Sequence, residues 1–358
     1  MLQYLARRIL TSIPVLLGIL FITFALARLL PGDPCRAALG ERATAVVCDA
    51  FIKRNGLDKP IPVQFGIYLK DIFQGNLGDS LRQGRPSTEI LAERLPTTIE
   101  LAIFAMIFAT VVGVPLGIIS AYWRNSPVDA GTMVMANIGV SMPVFVLGLI
   151  LMYLFAIILK DTPFWLPPSG RLSAGIELRM LAEVLGLENL SPSADGALNF
   201  FSLLYIFNSL ITGNWVALQD ASKHLLLPAL AVGTIPLAII ARMTRSSILD
   251  VMGLDYVRTA RAKGLRMPKV VLKHAFRNAL LPIVTIIGLS LGGLLSGAVL
   301  TETVFNLPGV GRTMFESITA RDYTVVQAFT LVIAVVYVSV NLFVDIMYAF
   351  LDPRIRLS

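Results

Sequence analysis

Along the chain, apolar positions gather into six stretches free of Asp, Glu, Lys, Arg and His: Ile9–Ala27, Leu101–Trp123, Ala130–Leu159, Leu225–Ala241, Asn278–Thr301 and Tyr323–Val344. A helix rises about 1.5 Å per residue, so ~20 such residues cross the hydrocarbon core of a bilayer. Leu225–Ala241 is the shortest, and Met243 and Thr244 extend it past Arg242, whose long stem can snorkel. With their flanks the predicted spans cover residues 9–30, 98–123, 130–159, 225–245, 278–301 and 323–350. A further apolar run, Leu198–Thr212, is interrupted by Asn208 and Ser209 and reads as an interfacial or re-entrant helix.

The polar positions orient these spans. Arg7 and Arg8 precede the first span, and Arg354 and Arg356 follow the sixth. After the fourth come Arg242, Arg245, Arg258, Arg261, Lys263, Arg266, Lys269, Lys273 and Arg277. The opposite loop, Glu302–Asp322, holds only Arg312 and Arg321 against three acids. The positive-inside rule therefore predicts cytoplasmic N- and C-termini, a cytoplasmic loop over 242–277, and two long periplasmic segments, 31–97 and 160–224. A seventh span at 198–212 would put the basic loop and the N-terminal Arg pair on opposite sides. Residues 1–27 also carry marks of a cleaved leader, Arg7-Arg8, an apolar run and Ala25-Leu26-Ala27. The run is longer than a signal core and Arg28 and Leu29-Leu30 follow it, so an uncleaved first helix is expected.

Composition narrows the class. Of 358 residues 56% are hydrophobic and 15% charged, with a mean hydropathy of +0.75, more apolar surface than a soluble domain of this length could bury. A net charge of +7 belongs to topology rather than to nucleic acid, since no like-charge blocks interleaved with aromatics occur. Cys35 and Cys48 are the only thiols and His224 and His274 the only imidazoles, which excludes a four-cysteine zinc site; no metal site is expected. Both cysteines fall in 31–97, where an oxidising compartment permits a disulfide; two unpaired, packed thiols are the alternative. In the same segment Phe65, Tyr68, Leu69, Ile72 and Phe73 recur at helical spacing, an amphipathic helix suited to the membrane surface or a partner.

The basic loop is the most informative segment. Asp255 is placed as a helix N-cap, Val257–Lys263 tolerate helix, and Gly264 suits the residue after its end. Pro268 opens a second helix that runs through His274 and Asn278 into the fifth span. A short helix then lies across the cytoplasmic mouth, where Ala260 and Ala262 permit close approach of a partner and Tyr256 offers an anchor. It could pass a rigid-body motion from a soluble motor to the bundle; an ordinary basic loop on lipid headgroups is the alternative. In the fifth span Gly288, Gly292, Gly293, Ser296 and Gly297 are expected to pack against another subunit, with a substrate pocket as the alternative. Pro14, Pro115, Pro143, Pro228, Pro236 and Pro282 lie in or beside five spans, as hinges or as prolines that membrane helices simply tolerate.

The run Asp255-Tyr256-Val257-Arg258-Thr259-Ala260-Arg261-Ala262-Lys263-Gly264 resembles the coupling-helix signature, or EAA loop, of ABC importer permeases as spelled in the dipeptide, oligopeptide and nickel subgroup. Arg258 and Thr259 stand where the broad family has Glu and Ala, and Leu281-Pro282 lies farther from Gly264 than usual. The likeness covers nearly the whole chain. It includes Leu30-Pro31-Gly32-Asp33-Pro34, Gly75-Asn76-Leu77-Gly78-Asp79-Ser80, Ser141-Met142-Pro143, Ala241–Ser247, His274–Pro282, Leu300–Phe305 and Asp352-Pro353-Arg354, and is strongest to first permease subunits of bacterial dipeptide importers.

The resemblance implies an all-α integral membrane protein of the bacterial inner membrane, with the six helices of the type I ABC importer permease fold. It implies three kinds of partner besides the lipid: a second homologous permease, two cytoplasmic ATP-binding subunits and a periplasmic peptide-binding protein. ATP and Mg would be used by those subunits, with no cofactor on this chain and no catalytic residue of its own. The residues agree, because Gly309-Val310-Gly311-Arg312-Thr313 lacks the lysine and spacing of a phosphate-binding loop. An ion-coupled secondary transporter is the rival reading, but all six spans are uncharged across their middles, with Asp345 near the cytoplasmic end of the sixth. A membrane-embedded hydrolase lacks its catalytic cluster. At the outer end of the fifth span Glu302, Phe305, Pro308, Gly309 and Gly311 form a candidate external gate, or a structural turn. Subgroup members import dipeptides, longer peptides, glutathione or nickel complexes, and the sequence does not choose among them.

Overall fold

A computed structural model of the chain describes residues 2–29, 35, 40, 43–54, 56–187 and 191–351. The Leu30-Pro31-Gly32-Asp33-Pro34 and Asp352-Pro353-Arg354 motifs, with Arg356, fall outside them. Apart from the single turn Leu181–Val184, the helices of the described residues, in chain order, are α1 (Leu2–Leu29), α2 (Ala45–Arg54), α3 (Ile61–Phe73), α4 (Ser87–Tyr122), α5 (Pro127–Ile138), α6 (Val144–Ile158), α7 (Pro192–Ser202), α8 (Tyr205–Thr212), α9 (Trp215–Met252), α10 (Asp255–Ala262), α11 (Met267–Leu295), α12 (Val299–Val304), α13 (Val310–Thr319) and α14 (Tyr323–Leu351). Among the described residues, only α1, α4, α9, α11 and α14 are single helices long and apolar enough to cross a membrane.

The pillar of the bundle is α9. Its 38 residues extend about 57 Å, and 72% of its apolar window is buried, against 33% or less in the other four. Burial of that extent on a hydrophobic helix means it is surrounded by its own chain. Along it runs α4, and glycines set the spacing. A Cβ at Gly117 would stand 2.6 Å from the Ala241 carbonyl oxygen, and one at Gly233 would stand 2.9 Å from that of Ala105. Small residues thus bring the two backbones together. The fifth and sixth spans meet the same way, with Gly288 under Val344 and Gly292 under Tyr337. Those two glycines therefore pack within the chain, not against another subunit as the sequence suggests; Gly293 alone of the three faces open space. α1 lies on α14, where Arg8 Nε meets Asp345 Oδ2 at 2.7 Å.

The third predicted span, 130–159, is not one helix. α5 stops at Ile138 and α6 begins at Val144, with a turn between. Proline disfavours helical backbone in the residue before it, and Pro143 sits at the N-cap of α6 with φ −57° and ψ 136°. Pro14, Pro115, Pro228, Pro236 and Pro282 all lie inside continuous helices, so of the six prolines only Pro143 breaks one. The apolar run 198–212 is bent by 98° between α7 and α8. Asn208 makes the bend, its Nδ2 donating to the carbonyls of Ser202 at 2.9 Å and Arg179 at 3.0 Å.

The two long segments are fastened to the spans. In α3, Phe65 and Tyr68 pack on Phe24 of α1 with ring centroids 5.3 and 5.4 Å apart, while Phe73 turns outward, 85% exposed. Cys35 and Cys48 are bonded, S–S 2.05 Å. The Gly75–Ser80 motif docks on the start of α14, where Ser80 Oγ donates to Asp322 Oδ2 at 2.5 Å. The Leu81 and Arg82 amides point at the same carboxylate, at 3.3 Å each. Gly78 takes φ +81°, and a Cβ there would meet Thr324 at 2.6 Å, so the motif needs glycine at that position. Arg171 ties 160–224 to α4: Nη2 meets Glu100 Oε2 at 2.7 Å and the Leu203 carbonyl at 2.8 Å, and its guanidinium lies 3.6 Å over the Tyr205 ring.

Candidate functional site

The basic loop forms α10 and seats it firmly. Leu254 takes the N-cap position without a side-chain bond, so Asp255 lies one residue further in than expected, where a carboxylate still suits the helix dipole. Gly264 at φ +76° ends the helix. Val257 and Ala260 are buried against Val270, flanked by Val251, Met252 and Leu265. This corrects one expectation: Ala260 faces the chain's own core and is not available for close approach by a partner. Asp255, Arg258, Thr259, Arg261, Ala262, Lys263 and Gly264 are exposed, and Arg258 and Asp255 pair at 3.3 Å on that outer face. Tyr256 also turns to the chain itself. Its hydroxyl accepts from Asn278 Nδ2 at 2.7 Å and donates to the His274 carbonyl at 3.3 Å. The short helix is thus a bridge: apolar contacts tie it to the end of α9, and Tyr256 pins it to α11.

At the other end of α11 the five candidate gate residues come together as a packed joint. Glu302 is wholly buried; Oε1 accepts from the Thr98 hydroxyl at 2.7 Å and Oε2 from the Arg312 amide at 2.9 Å. Thr98 in turn accepts from the Val310 amide at 2.9 Å. Since α13 starts at Val310, its N-cap is Gly309, which has no side chain to offer. The Glu302 carboxylate fills that place, and a Cβ on Gly309 would stand 2.3 Å from it. Burial pushes the Glu302 carboxyl up from the usual range, against the pull of the Arg312 amide, the Thr98 hydroxyl and the Gly311 amide. Phe305, 1% exposed, lies in the core with Leu101, Leu227 and Leu307, and Pro308 is half-buried. Gly311 lies where a Cβ would come within 3.0 Å of Val299 Cα. These residues form a clasp around one carboxylate, fixing the turn after α12 to α4.

Two family models match the chain. Residues 1–102 match the N-terminal part of binding-protein-dependent transport system membrane components, and residues 113–357 match the inner membrane component itself. The chain belongs to this family. Among its relatives is the dipeptide transport system permease protein DppB of Alkalihalophilus pseudofirmus, 45% identical over 99% of this chain and 100% of that one. The DppB of Escherichia coli K12 is 42% identical over 99% of each, and the glutathione transport system permease protein GsiC of Pectobacterium atrosepticum 39% over 99% of each. As a family member the chain is a multi-pass inner-membrane permease that works within a complex of several subunits.

Sequence reasoning missed the permease's buried ion pairs. Asp129 accepts from Arg245 Nε at 2.8 Å and Nη2 at 2.7 Å, from the Asn125 amide at 2.9 Å and from Ser120. That knot joins α4, α5 and α9 at the α10 end of the bundle. A signal for it existed: an acid at the mouth of an apolar stretch is costly unless paired, and Arg245 at the end of the fourth span could pair with it. Among the described residues no group of three His, Cys, Asp or Glu is placed to hold a metal.

Proposed function

We propose that this chain forms half of the path through which an ATP-driven, binding-protein-dependent importer carries dipeptides into the cell. The second half is a homologous permease. Two ATP-binding subunits, which use ATP and Mg, sit on the cytoplasmic side, and a periplasmic peptide-binding protein delivers the cargo. Both termini and α10 face the cytoplasm in this arrangement, as the clustering of Lys and Arg in 242–277 supports. Dipeptide as the cargo is supported by the DppB relatives, whose likeness extends over the full chain.

The observation that carries the reading is α10 itself. Its inner face is locked to α9 and α11, while its outer face presents Arg258, Arg261, Ala262 and Lys263. A soluble subunit gripping that face would move the ends of two membrane helices together. ATP binding then needs a few kcal/mol of preference for one state of the permease pair, because a ligand equal in both shifts nothing.

Reversing two exposed charges, Arg258→Glu with Arg261→Glu, tests this. Surface changes of this kind cost the fold within about 0.5 kcal/mol, whereas loss of Arg anchors at an interface costs 2 kcal/mol or more, about 30-fold in affinity. The expected result is an unchanged melting temperature, detachment of the ATP-binding subunits on purification, and lost uptake of labelled dipeptide. Full uptake with the subunits still bound would refute the coupling role. Ala260→Glu is no substitute, because it buries a charge in the seat and reports on folding.

A further inference from the structure

The break between α5 and α6 lies deep in the bundle. α5 runs 12 residues, about 18 Å, before the chain leaves helix. There Gly139 meets α9 at Thr234, whose Cβ a side chain on Gly139 would approach to 2.2 Å. Thr234 is itself about 16 Å along α9 from Arg245, the partner of Asp129 at the base of α5. Both measures put the turn past the middle of a hydrocarbon core about 30 Å thick. Non-helical backbone at that depth does not face lipid; it is buried in protein or lines water. Here its own chain leaves it uncovered, for Val140, Ser141 and Pro143 are exposed.

Beside the turn opens a groove of about 320 Å³ lined by Met133, Val134, Asn137, Ile138 and Ser141. Its polar groups are held by hydrogen bonds to their own stretch of chain. One N–H of Asn137 Nδ2 goes to the Met133 carbonyl at 2.6 Å, and Ser141 Oγ donates to the Asn137 carbonyl at 3.0 Å. The Asn137 Oδ1 and the lone pairs of Ser141 Oγ remain to meet donors. Apolar side chains surround them.

We propose that this broken third span lines the translocation path, with Asn137 and Ser141 accepting hydrogen bonds from the amino and amide N–H groups of a passing dipeptide. The proposal rests on the importer reading and adds to it the place where the peptide crosses. Two acceptors over an apolar floor of Met133, Val134 and Ile138 recognise what all dipeptides share and leave their side chains unread. Weak, general contact of this kind is what release on the far side requires.

The test uses the full importer reconstituted in vesicles, with partner subunits that carry no other reactive thiol. Because Cys35 and Cys48 are bonded to each other, Ser141→Cys introduces one reactive thiol. The reference is Val111→Cys, on the exposed apolar flank of α4. A cationic methanethiosulfonate needs water and thiolate, so Ser141→Cys is expected to react at least about 100-fold faster than Val111→Cys. Radiolabelled dialanine, supplied with binding protein and ATP, should slow that reaction, and completed modification should abolish uptake. Asn137→Cys is read the same way if Ser141→Cys fails to assemble. Thiols at 137 and 141 as inert as the reference, in vesicles that still import dialanine, would overturn the path assignment and leave the face to a covering subunit. Absence of dialanine uptake with the unaltered chain would instead strike at the importer reading.

Discussion

Gly309→Ser and Glu302→Ala, each destabilising alone, are expected to rescue one another when combined. Serine at 309 drives its Cβ to within 2.3 Å of the Glu302 carboxylate in a site with no slack. Overpacking of that kind costs about 1–3 kcal/mol. Alanine at 302 strips the acceptor from the Thr98 hydroxyl and the Arg312 amide, both buried or half-buried, at about 1–3 kcal/mol for each group left unmet. In the double variant the space is free and the serine hydroxyl caps α13 from the ordinary N-cap position. The two penalties should therefore fall short of their sum by at least about 1 kcal/mol, read from apparent melting temperatures of the purified permease as a double-mutant cycle. Strict additivity would mean that Glu302 does not cap that helix.

Arg171→Met should have the larger single effect. Glu100 is 6% exposed and Arg171 7%. Removing the arginine leaves a buried carboxylate held only by backbone amides, that of Ile206 at 2.7 Å and that of Tyr205. Breaking such a pair costs about 3–5 kcal/mol, whereas replacing both partners with apolar groups of similar size is often neutral. Arg171→Met is expected to release the 160–224 segment from α4, seen as faster proteolysis there and a lower yield of folded permease. Adding Glu100→Leu should return much of the loss. If the double variant is as unstable as the single, the stacking of Arg171 on Tyr205 and its bond to Leu203 carry the joint instead.

Both predictions concern contacts that no local pattern announces. Thr98 and Glu302 are 204 residues apart in the chain, and Arg171 and Glu100 are 71 apart. Hydropathy located the membrane helices because burial in lipid acts on every residue of a span, and that signal accumulates over 20 positions. It could not tell a straight third span from a broken one, since the turn at 139–143 carries no charge; only Gly139, Ser141 and Pro143 mark it. The ends of α10 were legible for the opposite reason, an acidic first turn and Gly264 being local chemistry. Which way Ala260 faces was not, because on a helix of eight residues either side could be the buried one until Val270 is placed beside it.

The glycine contacts between α4 and α9 also set what can move. With Gly117 against Ala241 and Gly233 against Ala105, neither helix can slide past the other by even one residue without driving a side chain into backbone. Any alternation of the permease must then carry the two as one rigid body, and the distance between labels placed on them will hold constant throughout the cycle, a ruler built into the protein against which every other displacement can be measured.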